Sequence, residues 1–559
     1  MKPYSQMKYG LFVHYVYELA RYSDGSAPES MDAFADGFHV EAFADSVQRM
    51  GVEYLILTAW HYRMRPLYPS AVTERWRPGN SCRRDLLGQI IDAMNDRGIA
   101  VILYTHPRDG HDLEEPERTA TGWGEGYAPG REDTPHPDRF HYETWNRYVR
   151  ELYTELAQRY GKKIIGFYTD GVGPTCGRSV RMEENRQIVD YLMIRDIMKK
   201  ENPDIVMIQN YFGYLFSNDY AMPEGFFGYE DTMHYRNTEK WPACRKALAI
   251  CPFDGGWWPA PEPRGADVRK MPVMDMVRYT LFNASCTDGG GLCWASGPHC
   301  EGSLWPKGVL DAMEAAGKQI RRFRESVLDA VPCSAYPTHS GDTLEDKDFR
   351  FFTASKDGKF VYLHLLRSPG DAAITLPRTE DGSILSSPVS LTQGVSVETF
   401  APCADGCTLM LTGEYDPVAT VIRFCRNAPE PVREIEWIND TNKRIRYEGS
   451  WKYRHLTGTD PLPHGCFEAD FHTASRKGGS LFLAFEGSFA QVYCNLRPGN
   501  GAAQVFLDGV FAGRIETDGA EAVRQPVFRS IDLHGAWHTL YLVLDDDKPF
   551  ELDAVKITK

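Results

Sequence analysis

Short apolar, β-branched runs alternate with amphipathic stretches through the first 300 or so residues. The runs Tyr9–Tyr15, Glu53–Trp60, Ala100–His106, Ile164–Asp170, Ile205–Asn210, Phe227–Thr232, Ala247–Phe253 and Gly291–Ser296 each read as a strand. Most are almost continuously apolar, which suits strands covered on both faces in a parallel sheet. Helical patterns fall between them. Over Arg84–Arg97, Leu86, Leu87, Ile90, Ile91 and Met94 share one face and Gly98 stops the helix. Trp145–Tyr160 repeats this, with Tyr148, Leu152, Leu156 and Tyr160 four apart. Asn185–Lys200 and Lys307–Arg324 predict two more helices. Eight strand–helix alternations predict a (β/α)8 barrel of the TIM type over residues 1–330.

Helical periodicity stops after Pro332. Short strands separated by Asp357-Gly358, Pro369-Gly370 and Asp381-Gly382 predict a β-sandwich over 331–428. Ala428-Pro429-Glu430-Pro431 reads as a linker. Leu481–Glu486, Phe489–Asn495, Ala503–Leu507, Val527–Leu533 and Trp537–Leu544 then predict a jelly-roll over 432–559. The expected class is therefore multidomain α/β plus all-β.

Composition narrows the partners. The 559 residues carry a net charge of −15, with acidic groups scattered. Phosphate binding needs a basic face, so nucleic acid is not expected. No window reaches 18 apolar residues and no secretory h-region is seen, so neither membrane nor export is expected. The 13 cysteines form no framework and no metal spacing, which points to reduced thiols and a cytoplasmic setting without metal or cofactor. A homo-oligomer is compatible with this composition.

In such barrels chemistry gathers at the C-terminal strand ends. Here those ends carry His14, Trp60-His61-Tyr62, Tyr104 with His106, Asp170-Gly171, Asn210, Glu230, Trp257-Trp258 and Trp294. Hydrolysis of a glycosidic bond needs two carboxyl groups in different protonation states. Asp170 and Glu230 are the best-placed pair. Tryptophan and tyrosine rings suit the apolar faces of sugars, and His14, His61, His106 and Asn210 suit their hydroxyls. A metal-dependent hydrolase would want His-x-His near the first strand, where the chain reads Val13-His14-Tyr15-Val16.

At these residues the chain resembles the α-L-fucosidases of glycoside hydrolase family 29. Tyr9-Gly10-Leu11-Phe12-Val13-His14-Tyr15 is similar to that family's first strand. Leu57-Thr58-Ala59-Trp60-His61-Tyr62 through Leu67-Tyr68-Pro69-Ser70 resembles its second-strand segment. Phe167-Tyr168-Thr169-Asp170-Gly171 resembles its nucleophile segment and Tyr229-Glu230-Asp231-Thr232 its acid/base segment. Gly289-Gly290-Gly291-Leu292 through Gly297-Pro298 and Gly302 resembles its eighth strand. The resemblance implies a retaining exo-glycosidase acting on oligosaccharides or glycoconjugates. Asp170 would be the nucleophile, Glu230 the acid/base, and His14 and His61 would hold sugar hydroxyls. The family's His-His pair is His61-Tyr62 here, its Asp-Gly-Phe is Arg63-Met64-Arg65, and its first-strand Trp-Gly is Tyr15-Val16. Reaction type should therefore transfer better than the identity of the sugar. The same chemistry on another sugar such as an α-L-galactoside, or an inactive carbohydrate-binding protein, stays open. Arg63 and Arg65 could meet an anionic sugar or lie in a surface loop. The last block resembles carbohydrate-binding jelly rolls.

Overall fold

The computed structural model describes residues 2–128, 131–171, 188–210, 218–226, 247–251, 257, 271–287, 289–336, 350–366, 368, 373–403, 406–427, 435–455, 466–467, 470–530, 533 and 537–559. Glu230 and Trp258 lie outside the described residues.

The first apolar runs pair side by side, all parallel. They are β1 (Tyr9–Val13), β2 (Tyr54–Trp60), β3 (Ala100–Thr105), β4 (Gly166–Thr169), β5 (Val206–Gln209), β6 (Tyr220–Ala221), β7 (Glu224–Phe226), β8 (Leu248–Cys251) and β9 (Leu292–Ala295). The order is β6-β5-β4-β3-β2-β1-β9-β8-β7. The two ends of that path are neighbours in the chain. β6 pairs with β5 and β7 with β8, and only Met222-Pro223 separates them. They are two halves of one barrel position, so the sheet curls into an eight-position barrel. Proline cannot donate to a ladder, which accounts for the break. The sixth strand is therefore Tyr220–Phe226, ahead of the expected Phe227–Thr232, which falls outside the described residues.

The four expected helices are present with shifted ends, together with others that were not expected. α1 (Val40–Met50) and α2 (Leu86–Asp96) follow the first two strands. α3 (Tyr142–Tyr160), α4 (Tyr191–Glu201), α5 (Val273–Cys286) and α6 (Val309–Ile320) follow later ones. Alternation along each strand splits the side chains into two sets. Gly10, Phe12, Tyr54, Ile56, Ile102, Tyr104, Tyr168 and Ile208 point to the barrel axis, and most of them join one buried cluster. Leu11, Leu55, Val101 and Phe167 alternate with them and are fully buried under the helices.

A five-stranded antiparallel sheet (Val331–Pro332, Arg350–Ala354, Phe360–Leu365, Thr420–Asn427, Ile384–Ser390) faces a three-stranded one (Ile374–Pro377, Gly406–Gly413, Val395–Cys403). Their core is Phe352, Leu363, Leu376, Leu409 and Phe424. This layer and the barrel form one compact unit, Met1–Tyr211 with Ser217–Pro429. The second unit is built on Glu430–Lys559 and holds a six-stranded and a five-stranded antiparallel sheet. Leu483, Phe485, Val505, Leu542 and Leu552 fill the space between them. Its strands include Ala522–Arg529, ahead of the expected Val527–Leu533, and also Val510–Glu516 and Phe550–Thr558.

Candidate active site

Axis-facing parity carries past the strand ends and selects the residues of the barrel mouth. On β1 it continues from Gly10 and Phe12 to His14. On β3 it runs through Tyr104 to His106, on β4 from Tyr168 to Asp170, and on β5 from Ile208 to Asn210. β2 needs a correction of register. Its pairing with β3 shifts between Thr58 and Trp60, so Trp60 sits opposite Thr105. That bulge sends Trp60 outward and leaves the next residue, His61, facing in.

Asp170 is the centre of the arrangement. Its backbone N–H donates to Thr105 O at 2.9 Å, continuing the β4–β3 ladder by one residue. Three donors then converge on its carboxylate. Tyr104 Oη donates to Oδ2 at 2.6 Å, while Gly171 N and Asn210 Nδ2 donate to Oδ1 at 2.6 and 2.9 Å. Gly171 has φ +70°, and a Cβ there would lie 2.9 Å from His106 Cε1. Only glycine permits this turn against the imidazole. Burial and the neighbouring Asp170 charge raise the Tyr104 hydroxyl well above its usual range, so it remains a donor.

Three imidazoles gather beside Tyr104 and Gly171. The His14 and Tyr104 rings meet edge to face at 4.6 Å, and the His14 and His61 rings lie 5.6 Å apart. Thr58 Oγ1 donates to Val13 O, so it accepts from His14 Nδ1 at 3.1 Å. His14 Nε2 is then an acceptor. Burial, and after it the charges of His61 and His106, push His14 well below the usual histidine range, so it is neutral.

His61 and His106 share one anion that sequence reasoning missed. Asp109 lies three residues past His106 in a short turn and is 1% exposed. His61 Nδ1 is 2.6 Å from its Oδ2, and His106 Nδ1 is 2.7 Å from its Oδ1. The two rings stack at 5.0 Å with their planes 3° apart. Burial alone would raise the Asp109 carboxyl. The two imidazoles outweigh it and hold Asp109 far below the ordinary carboxylate range. The His–Pro–Arg–Asp spacing was the available signal, since a residue three along can fold back on a strand-end side chain.

Glu224 was also missed, because the sixth strand was placed too late. It stands on β7 beside the mouth. Tyr168 Oη lies 3.2 Å from its Oε1, and Asn210 reaches it as well as Asp170. Burial and then the charge of Asp170 raise Glu224 well above the usual carboxylate range.

Several expected ligands face elsewhere. Trp60 is buried edge-on against Tyr153 of α3 at 5.2 Å, and Trp294 donates its Nε1 to Thr280 of α5 at 3.0 Å. Both occupy the outward parity of their strands and belong to the barrel–helix core. Tyr15 is likewise outward, stacked on Phe34 at 4.2 Å. Trp257 does reach the mouth, 5.6 Å from His14. Tyr62 lies in the turn after β2, with the Arg63 guanidinium 5.5 Å over its ring. Arg63 pairs with Glu18 and Glu114, and Arg65 with Glu18. Both arginines are thus neutralised within the loop, which favours the surface-loop reading over an anionic sugar.

The family model described as Alpha-L-fucosidase matches residues 4–248, a span that contains every residue of this cluster from His14 to Glu224. Over those residues the chain is similar to the α-L-fucosidase family. A fucosidase of that family from Bacteroides thetaiotaomicron superposes with a TM-score of 0.54 at 16% identity, covering 76% of this chain and 94% of that one. The α-L-fucosidase of Vibrio sp. strain EJY3 gives 0.51 at 14% identity, covering 99% and 97%. At such identities these two establish the shared fold alone. Rat tissue α-L-fucosidase is 38% identical over 68 residues, which span 12% of this chain and 15% of the rat protein. Asp170 stands at a C-terminal strand end inside the matched span.

Proposed function

We propose that the chain is a retaining exo-α-L-fucosidase that removes terminal sugar from oligosaccharides or glycoconjugates. The observation that carries this is the Asp170 carboxylate, held by three donors at the C-terminal end of β4 in a barrel similar to the fucosidase family's. Those bonds fix its orientation before substrate arrives, so little reorganisation opposes attack on the anomeric carbon. A covalent glycosyl-enzyme follows, and water displaces it. Glu230 is carried over from the family's motif as the group that protonates the leaving oxygen and then activates water. The raised Glu224 supports the same chemistry. Protonated, it spares Asp170 a second negative charge at close range. Neutral His14 offers a sugar hydroxyl an acceptor at Nε2.

Release of nitrophenol from a panel of aryl glycosides tests the reading, with the α-L-fucoside expected to be fastest. A faster α-L-galactoside would keep the mechanism and change the sugar, a reading favoured by the departures at Tyr62 and Arg63-Met64-Arg65. Asp170→Asn should lower kcat/KM by about 1,000-fold or more. Turnover that survives in Asp170→Asn would remove it as nucleophile. Azide should rescue Asp170→Gly and report the stereochemical course.

The Glu430–Lys559 unit reads as a carbohydrate-binding module. Its support is an aromatic row on the outer face of the five-stranded sheet, where Phe506 contacts Phe511 and Tyr541. Phe511 and Tyr541 are exposed there. The ten cysteines whose side chains are described are free thiols, which supports a reducing, cytoplasmic setting.

A further inference from the structure

The geometry points to Asp109 as a positioning residue that turns His61 and His106 into one paired reader of two sugar hydroxyls. This rests on the glycosidase reading of the mouth.

Each ring presents its Nδ1 to the same carboxylate, one to each oxygen. A carboxylate only accepts, so the hydrogen-bonded His61 Nδ1 must carry hydrogen, and a bare lone pair on His106 Nδ1 would confront Asp109 Oδ1 at 2.7 Å. Neither ring can then adopt the other neutral tautomer without facing a lone pair with a lone pair. Both Nε2 atoms point away from Asp109. His106 Nε2 reaches to within 3.2 Å of where a Gly171 Cβ would stand, next to the nucleophile. His61 lies between His106 and His14, 5.4 Å from the Tyr104 ring. The pair thus lines the mouth beside Asp170 and Tyr104.

The two rings differ in what surrounds them. His106 sees Asp109 and Asp170 from two elements, against the opposing charge of Arg108. Burial disfavours its charged form, yet the two carboxylates outweigh burial, and His106 lies above the usual histidine range. With Nδ1 held by Asp109, each ring has its Nε2 left for the mouth, and the raised His106 favours donation from there. Each ring reads one hydroxyl. A site built this way strands a buried polar group whenever a hydroxyl is missing, so it discriminates against deoxy sugars. Stacking at 5.0 Å with one shared anion fixes the spacing of the two readers.

Asp109→Asn is the sharpest test. An amide accepts at one atom and donates at the other, so one imidazole must give up its Nδ1 hydrogen. The ring nitrogens, observed by NMR in protein carrying heavy-nitrogen histidine, should show two Nδ1–H imidazoles in the wild type and one reversed in the variant. This readout needs no substrate and judges Asp109 even if no aryl fucoside is cleaved. Kinetically, the wild type should prefer an aryl α-L-fucoside over at least one of its deoxy analogues by about 100-fold or more. That preference should shrink about tenfold in Asp109→Asn and in His106→Ala, through KM for the parent sugar. His106→Ala serves as the second variant if the buried amide prevents folding, because it leaves Asp109 paired with His61. Unchanged ring nitrogens in Asp109→Asn overturn the proposal. So does an equal loss of kcat/KM on parent and deoxy sugars in both variants, since a purely structural role would act on all substrates alike.

Discussion

Glu224 shows how one residue's charge depends on its neighbours. Its carboxyl is raised well above the ordinary value of 4.5 by burial and by Asp170. The folded state therefore holds this proton where the unfolded chain has released it. Stability must fall with rising pH wherever the native state binds the extra proton. Below about 4.5 both states are protonated and the term vanishes. Above it the native state is penalised until its own titration is reached. Glu224→Gln mimics the protonated form and removes the penalty. Its melting temperature should match the wild type near pH 4, rise above it by pH 8, and widen steadily between. Parallel melting curves across that range would mean that Glu224 ionises freely in the folded protein. Activity near neutral pH should change by less than about tenfold, because glutamine preserves the neutral partner beside Asp170.

Among the elements, β1 and β4 were legible because apolar runs, strand ends and glycine signals agreed there, and these carried His14 and Asp170. Trp60 was misplaced for a specific reason. Simple alternation from Tyr54, Ile56 and Thr58 predicts an inward residue 60, and only the β2–β3 register reveals the bulge that reverses it. Trp294 was read as a ligand because it ends a strand, yet its neighbours Cys293 and Ala295 face the axis instead. The sixth strand was hidden by Pro223, whose missing N–H argues against a strand until its two halves are seen on separate neighbours. Asp109 left no periodic trace, being a turn residue whose role depends on two strands meeting. The small residue in β1 also has a reason that only packing discloses. A Cβ at Gly10 would lie 2.2 Å from the Tyr54 ring, which crosses the barrel to donate to Gly290 O at 2.7 Å. Gly10→Ala should destabilise the unit by about 1–3 kcal/mol. Urea unfolding would measure it, and a variant as stable as the wild type would mean that Tyr54 can swing aside without loss.

At the scale of the whole molecule, the boundary that sequence suggests after residue 330 is not a boundary in packing. The barrel and the β-layer keep separate cores but are joined by buried contacts. Phe282 of α5 meets Phe351 of the layer at 6.1 Å, and Phe351 is fully buried with His364 stacked on it at 4.4 Å. Arg278 of the same helix donates to Pro417 O at 2.6 Å and Val418 O at 3.3 Å, and Thr353 donates to Ser326 O. A chain ended at Ala330 would expose Phe282 and strand these polar groups. Each large apolar side chain returned to water costs about 1.5–3 kcal/mol, against a total stability of about 5–15 kcal/mol. Such a chain should be insoluble or lack a cooperative transition. A chain ended at Pro429 removes the Glu430–Lys559 part of the second unit, whose core of Leu483, Phe485, Val505 and Leu542 is its own. It should keep a cooperative transition and its turnover of aryl glycosides. Calorimetry separates the two cases. The 330-residue chain melting cooperatively at the wild-type temperature would make the β-layer an independent appendage. Loss of the transition in the Pro429 chain would instead make the second unit part of the catalytic fold.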